Sequence, residues 1–163
     1  MSDEEYELQV LLKLRKQERD EAEARYASAL EAHQKIERKV QELELAHHRL
    51  ARQRVEKCRA FDKRVASQPI SMAEIHGFDR HVVGLRDAEE KAWQKVEQAK
   101  REQQRLRRQM ETAHQQMLQA LRQLKAVEKH YEKWQREQAV VQKRRQSAKM
   151  DDVAARLWRG QQG

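Results

Sequence analysis

From Ile75 onward, steps of three and four residues land on Ile75, Phe78, Val82, Leu85, Glu89, Ala92, Val96, Ala99, Gln103, Leu106, Met110, Ala113, Met117, Ala120, Leu124, Val127, Tyr131, Trp134, Gln138, Val141 and Arg145. Seventeen of these 21 positions are apolar, in a chain where 38% of all residues are charged. Apolar residues sustained at that spacing predict a long helix with a coiled-coil seam, because 3.5 residues per step keeps one stripe facing a partner. The first half carries a second seam: Ala22, Tyr26, Ala29, His33, Ile36, Val40, Leu43, His47 and Leu50, continuing through Arg54, Cys58, Phe61 and Val65. One extra residue at the step 50–54–58 makes a local stutter. Leu8, Leu11 and Leu12 extend this seam toward the start in a less regular phase.

Between the seams lies SQPISMAEI. Pro69 disfavours helix at Gln68 and ends the first helix. Ser71 and Glu74 have the spacing of a capping box, with Ile70 and Ile75 placed as a hydrophobic staple around it. Ser2 followed by Asp3, Glu4 and Glu5 is a second helix start, by capping and by dipole. The spacing therefore predicts helix one over about 3–67, a turn at 68–71, and helix two over about 72–158. Gly77 and Gly84 weaken the first turns of helix two, so a bend near 77–84 is expected, or a short separate helix from Met72 to His76.

A short connection between long helices makes them antiparallel neighbours. The expected fold is all-α: a single antiparallel coiled-coil hairpin. Pairing outward from the turn sets Phe61 against Phe78, Leu43 against Val96, Val40 against Ala99, Ala29 against Met110, Tyr26 against Ala113 and Ala22 against Met117, with small residues often facing large ones. The main seam residues are Ile36, Val40, Leu43, Phe61, Phe78, Val96, Leu106, Met110, Met117 and Leu124. Glu89, Gln103 and Arg54 are polar residues on the seam and mark weaker stretches. In this register residue 3 lies near residue 136, so helix two continues alone for roughly 20 residues, or ~30 Å. Along that projecting tip Met150, Val153, Ala154, Leu157 and Trp158 form a new apolar face, displaced from the seam.

Composition sharpens the picture. Four glycines, one proline and 5% aromatic residues exclude an ordinary globular domain. The net charge of +8 is concentrated at the end. Residues 133–163 hold eight Lys/Arg against three acids, a balance of +5, leaving +3 for the rest. Such a tip suits an acidic protein groove, nucleic acid or anionic lipid. The single Cys58 allows no internal disulfide, which suits a reducing compartment. The apolar cluster Leu8–Leu14 is too short for a membrane span and wrongly flanked for a signal peptide, so a cytoplasmic protein is expected.

Chemistry is sparse. There is no Gly-rich phosphate loop, no paired Cys motif, no HExxH and no nucleophile elbow. The seven histidines offer no ligand spacing: His33 and His47 lie 14 residues apart on the seam, where they read as polar register devices. No metal, no cofactor and no catalytic residue is expected, and a helical rod offers no pocket that excludes water.

Three stretches resemble the FliJ/YscO family, the central stalk proteins of type III export machines: ELQVLLKLRKQERDEAEARYASAL (Glu7–Leu30), ISMAEIHGFDRHVVGL (Ile70–Leu85) and EKWQREQAVVQKRRQSAKMDDVAARLW (Glu132–Trp158). Trp134 and the long finish are more similar to the injectisome branch than to the flagellar one. The resemblance implies a two-helix coiled coil like the rotor stalk of rotary ATPases. Such a protein enters the hexameric secretion ATPase, promotes its assembly or activity, and links it to the export gate; some members handle secretion chaperones. It implies a non-catalytic, cytoplasmic protein, monomeric alone and peripheral to the inner membrane through the export apparatus. Lys143, Arg144, Arg145, Lys149, Met150, Val153, Leu157 and Trp158 are then the expected ATPase-binding residues, with no nucleic-acid partner. Two other readings stay open: a basic helical module binding nucleic acid or anionic membrane, and a purely structural coiled-coil dimer.

Overall fold

The computed structural model describes residues 2–162. Two helices account for nearly all of them: α1, Asp3–Ser67, and α2, Met72–Gln162. The fold is all-α and antiparallel, with α2 the longer by 91 residues to 65. Gly77, Gly84 and Gly160 all lie inside α2 without interrupting it.

The helix ends are built as elementary capping predicts. Ser2 Oγ accepts from the Glu5 backbone N–H at 3.2 Å, and Asp3, Glu4 and Glu5 set negative charge on the first turn of α1. At the turn, Ser71 Oγ accepts from the Glu74 N–H at 3.2 Å. The expected capping box is made only on that side. The Glu74 carboxylate instead accepts from Arg64 Nη2 at 3.1 Å, so it ties the start of α2 to the last turn of α1. A full cationic charge outcompetes a single backbone N–H for a carboxylate.

The paired helices divide into two compact units, Arg25–His114 and Met1–Ala24 with Gln115–Gly163. Within the first, the turn-side unit, Phe61 and Phe78 stack at 3.9 Å between centroids and 9° between planes. Ile36, Val40 and Ala99 are buried together, with Leu43 and Leu106 packed against them. Val96 is the most deeply buried side chain, at 0% exposure. Met110, Phe61 and Phe78 are half-buried, as two helices alone can cover only one stripe of each other. Within the terminal unit, Leu8, Ala22, Ala120, Leu124 and Trp134 are buried and Met117 is half-buried. Four of the ten buried apolar residues are alanines, Ala22, Ala99, Ala113 and Ala120, so the helices approach closely rather than enclosing a wide core.

The polar seam positions divide in an instructive way. Arg54 and Glu89, each a defect when read alone, are partners: Arg54 Nε donates to Glu89 Oε2 at 2.6 Å across the helices of the turn-side unit. Their side chains are 28% and 12% exposed, so the pair is partly desolvated. Removing one member strands a charge against the seam, whereas replacing both with apolar groups does not. Glu89→Ala is expected to cost about 2 kcal/mol, below the figure for a fully buried pair because Arg54 keeps some water. The double variant Arg54→Leu/Glu89→Leu should recover that loss. Urea unfolding of the four chains of the cycle checks it; a double variant as weak as the single one would contradict this account of the pair.

Candidate partner-binding tip

The terminal unit changes character after Trp134. Trp134 is the last buried residue, at 9% exposure, and stacks on Tyr131 with centroids 6.0 Å apart. Its indole Nε1 makes no hydrogen bond. From Gln135 to Gln162 every residue is exposed, yet α2 continues unbroken. The sequence seam explains why it loses its partner: α1 starts at Asp3, and Arg15 Nη1 donates to Gln123 Oε1 at 3.2 Å. That bond fixes the register in this unit, so α1 has run out at about the level of residue 135.

The exposed segment carries two kinds of surface. Lys143, Arg144, Arg145 and Lys149 form the basic run, and among the described residues no carboxylate lies within salt-bridge distance of any of them. Lys133–Glu137 at 4.0 Å and Arg156–Asp152 at 3.1 Å are exposed pairs one helical turn apart that flank the run. Such pairs add tenths of a kcal/mol to a helix and do not neutralise the four bases between them. Met150 (71% exposed), Val153, Leu157 and Trp158 (61%) follow as the displaced apolar face. Recurrence at i, i+3, i+7 and i+8 sets them on one side of the helix. All eight expected tip residues therefore lie on one solvated helix, basic residues first and apolar residues after.

The sequence reading missed a shallow groove at the base of the tip, lined by Arg136, Glu137, Val140, Val141 and Arg144. It also missed a stripe on α1, Tyr6, Val10 and Leu14, at 62%, 50% and 47% exposure. For the stripe the signal was available: Tyr6, Val10 and Leu14 lie off the assigned seam and recur at i, i+4 and i+8.

Elsewhere the chemistry is that of solvated helix faces. Glu102 is held below the usual carboxylate range first by its hydrogen bond from Arg105. Arg105 is raised by the same bond, and Arg19 by its hydrogen bond to Asp20. Each is a contact within one helix between exposed groups, not an acid and a base converging on a shared site. His33 Nδ1 lies 3.7 Å from Glu37, and His47 packs on Trp93 with ring centroids 5.3 Å apart. Among the described residues no three His, Cys, Asp or Glu side chains gather as metal ligands. No helix among them is long and apolar enough to cross a membrane.

The family model described as YscO-like protein matches residues 3–162. The chain belongs to the YscO-like family. Membership spans both helices, the turn and the tip, so the exposed end of α2 lies inside the region the family shares. No curated protein and no solved structure matches this YscO-like chain.

Proposed function

We propose that this YscO-like protein is a non-catalytic stalk and adaptor of a type III secretion apparatus. It engages the hexameric export ATPase through the tip of α2, promotes ATPase assembly or activity, and couples the ring to the export gate. The observation that carries this reading is the tip: 28 consecutive exposed residues of a continuous helix, Gln135 to Gln162, with unpaired bases followed by an apolar face ending in Trp158. Positive charge at Lys143, Arg144, Arg145 and Lys149 steers the tip toward an acidic opening, and Leu157 and Trp158 supply the buried anchors that dominate binding energy. Family membership supplies the secretion context. Chaperone handling, cytoplasmic residence and attachment to the membrane through the apparatus belong to the same reading.

The test is the hydrolysis rate and oligomeric state of the cognate secretion ATPase, titrated with the full chain and with Arg144→Glu/Arg145→Glu. The wild-type chain should raise the rate or drive hexamer formation. The reversal should weaken half-maximal stimulation by roughly tenfold or more, as expected from changing two steering charges, with helicity unaltered. Unaltered stimulation would remove the tip from the contact. No stimulation by either chain, with steeply salt-dependent binding to DNA or anionic vesicles instead, would replace the stalk reading with a basic binding module.

A further inference from the structure

Within the turn-side unit the burial is uneven. Ile36, Val40, Val96, Ala99 and Ala113 are buried, all away from the turn. Between them, from Glu44 round the turn to Lys95, no residue is buried. The seam there is held by contacts that keep water: the Phe61–Phe78 stack, both rings half-buried, and the exposed Arg64–Glu74 pair at 3.1 Å. Exposed ion pairs contribute little. At the base of this stretch the seam position is the Arg54–Glu89 pair in place of an apolar contact, and the α1 heptad spacing slips beside it, at the step 50–54–58.

The two glycines of α2 in this stretch have no packing reason. A Cβ at Gly77 or at Gly84 would meet nothing within 4 Å, and neither residue has positive φ. Alanine therefore fits both positions in the closed pair. Glycine there only weakens the helix, because it gives up more backbone freedom on folding than alanine does. The glycines are seven residues apart and face the part of α1 that carries the stutter, since Phe61 meets Phe78 between their levels. Weak burial, a charged seam pair, a broken heptad and two dispensable glycines thus coincide in one stretch of both helices.

We propose that the turn end, from Arg54 round to Glu89, is a latched flap: it unravels and recloses as a unit while the pair stays closed at Val40 and Val96. Arg54–Glu89 is the latch at its base. Once the pair parts there, residues 54–67 form too short a helix to persist alone, and residues 72–89 carry both glycines, so each segment loses its helix with its partner. The open form presents Phe61, Phe78, Val82 and Leu85, which the closed pair half-covers. This device rests on the turn-side unit alone and is independent of the stalk reading.

Amide hydrogen exchange on the full chain, with no ATPase present, tests the flap. Protection across 54–89 should be at least about tenfold lower than across 36–43 and 96–106, as a separately opening segment requires. Gly77→Ala/Gly84→Ala should raise protection across 54–89 by about twentyfold, the sum of two helix-propensity gains. Val40→Ala separates a flap from opening of the whole unit. It should lower protection at 36–43 and 96–106 by about tenfold or more and leave 54–89 unchanged, because Val40 stays packed when the flap opens. Equal protection in the two regions of the wild-type chain would overturn the proposal. So would glycine replacements without effect on 54–89, or a fall in its protection in Val40→Ala, which would mean that one transition opens both.

Discussion

Val96→Asp is expected to cost the pairing of α1 and α2 around it more than about 4 kcal/mol, because burying an unpaired carboxylate is among the few changes of that size. Val96 is fully buried, and near it the apolar cluster of Ile36, Val40 and Ala99 holds the turn-side unit together. Elsewhere on the seam a polar side chain has an exit, because two helices leave each other half uncovered. At Val96 there is none. The expected result is loss of the cooperative thermal transition of helicity at room temperature, or a melting point lower by at least about 10 °C. A shift of only a few degrees would mean that the chain's stability does not depend on close packing at this position.

On the proposed stalk function, ending the chain after Glu137 is expected to do the reverse: abolish ATPase stimulation and leave the fold alone. Residues 138–162 make none of the contacts that hold α1 to α2, and the last buried residue is Trp134. The melting temperature should therefore stay within about 2 °C of the full chain, the scale of a surface change. Stimulation of the secretion ATPase should fall to the unstimulated rate. Full stimulation by the shortened chain would move the working surface to the paired helices or the turn. Val96→Asp and the truncation thus separate holding the pair together from engaging a partner.

The architecture was legible because the chain is otherwise so polar. Apolar residues at steps of three and four stand out against 38% charge, and Pro69 with Ser71 marks the single break. The seam positions from Ile75 to Trp134 are all buried or half-buried, and those from Gln138 on are exposed. This is the point at which a register set outward from the turn exhausts α1. Side-chain partnership was less legible. Arg54 and Glu89 look like separate weak points until the helices are aligned, because they lie 35 residues apart in the chain and meet only across the pair. Glu74 was assigned to its own helix cap because spacing shows which backbone group a carboxylate can reach, not that Arg64 comes from the other side of the turn. At the tip, the pattern reveals a charged and an apolar surface without a partner. A seam contains its own answer, since each half specifies the other, but a surface for another molecule holds only half of the information.

The three tryptophans fall into three environments. Trp134 is buried where the pair ends, Trp158 stands in solvent on the tip, and Trp93 is 43% exposed beside His47 and Lys100 in the turn-side unit. Opening of the terminal pair moves the first into water, and capture of the tip takes the second out of it. The third responds to neither and serves as an internal reference. The chain consequently carries its own optical probes, and variants keeping one tryptophan at a time would distinguish melting from docking without an added dye.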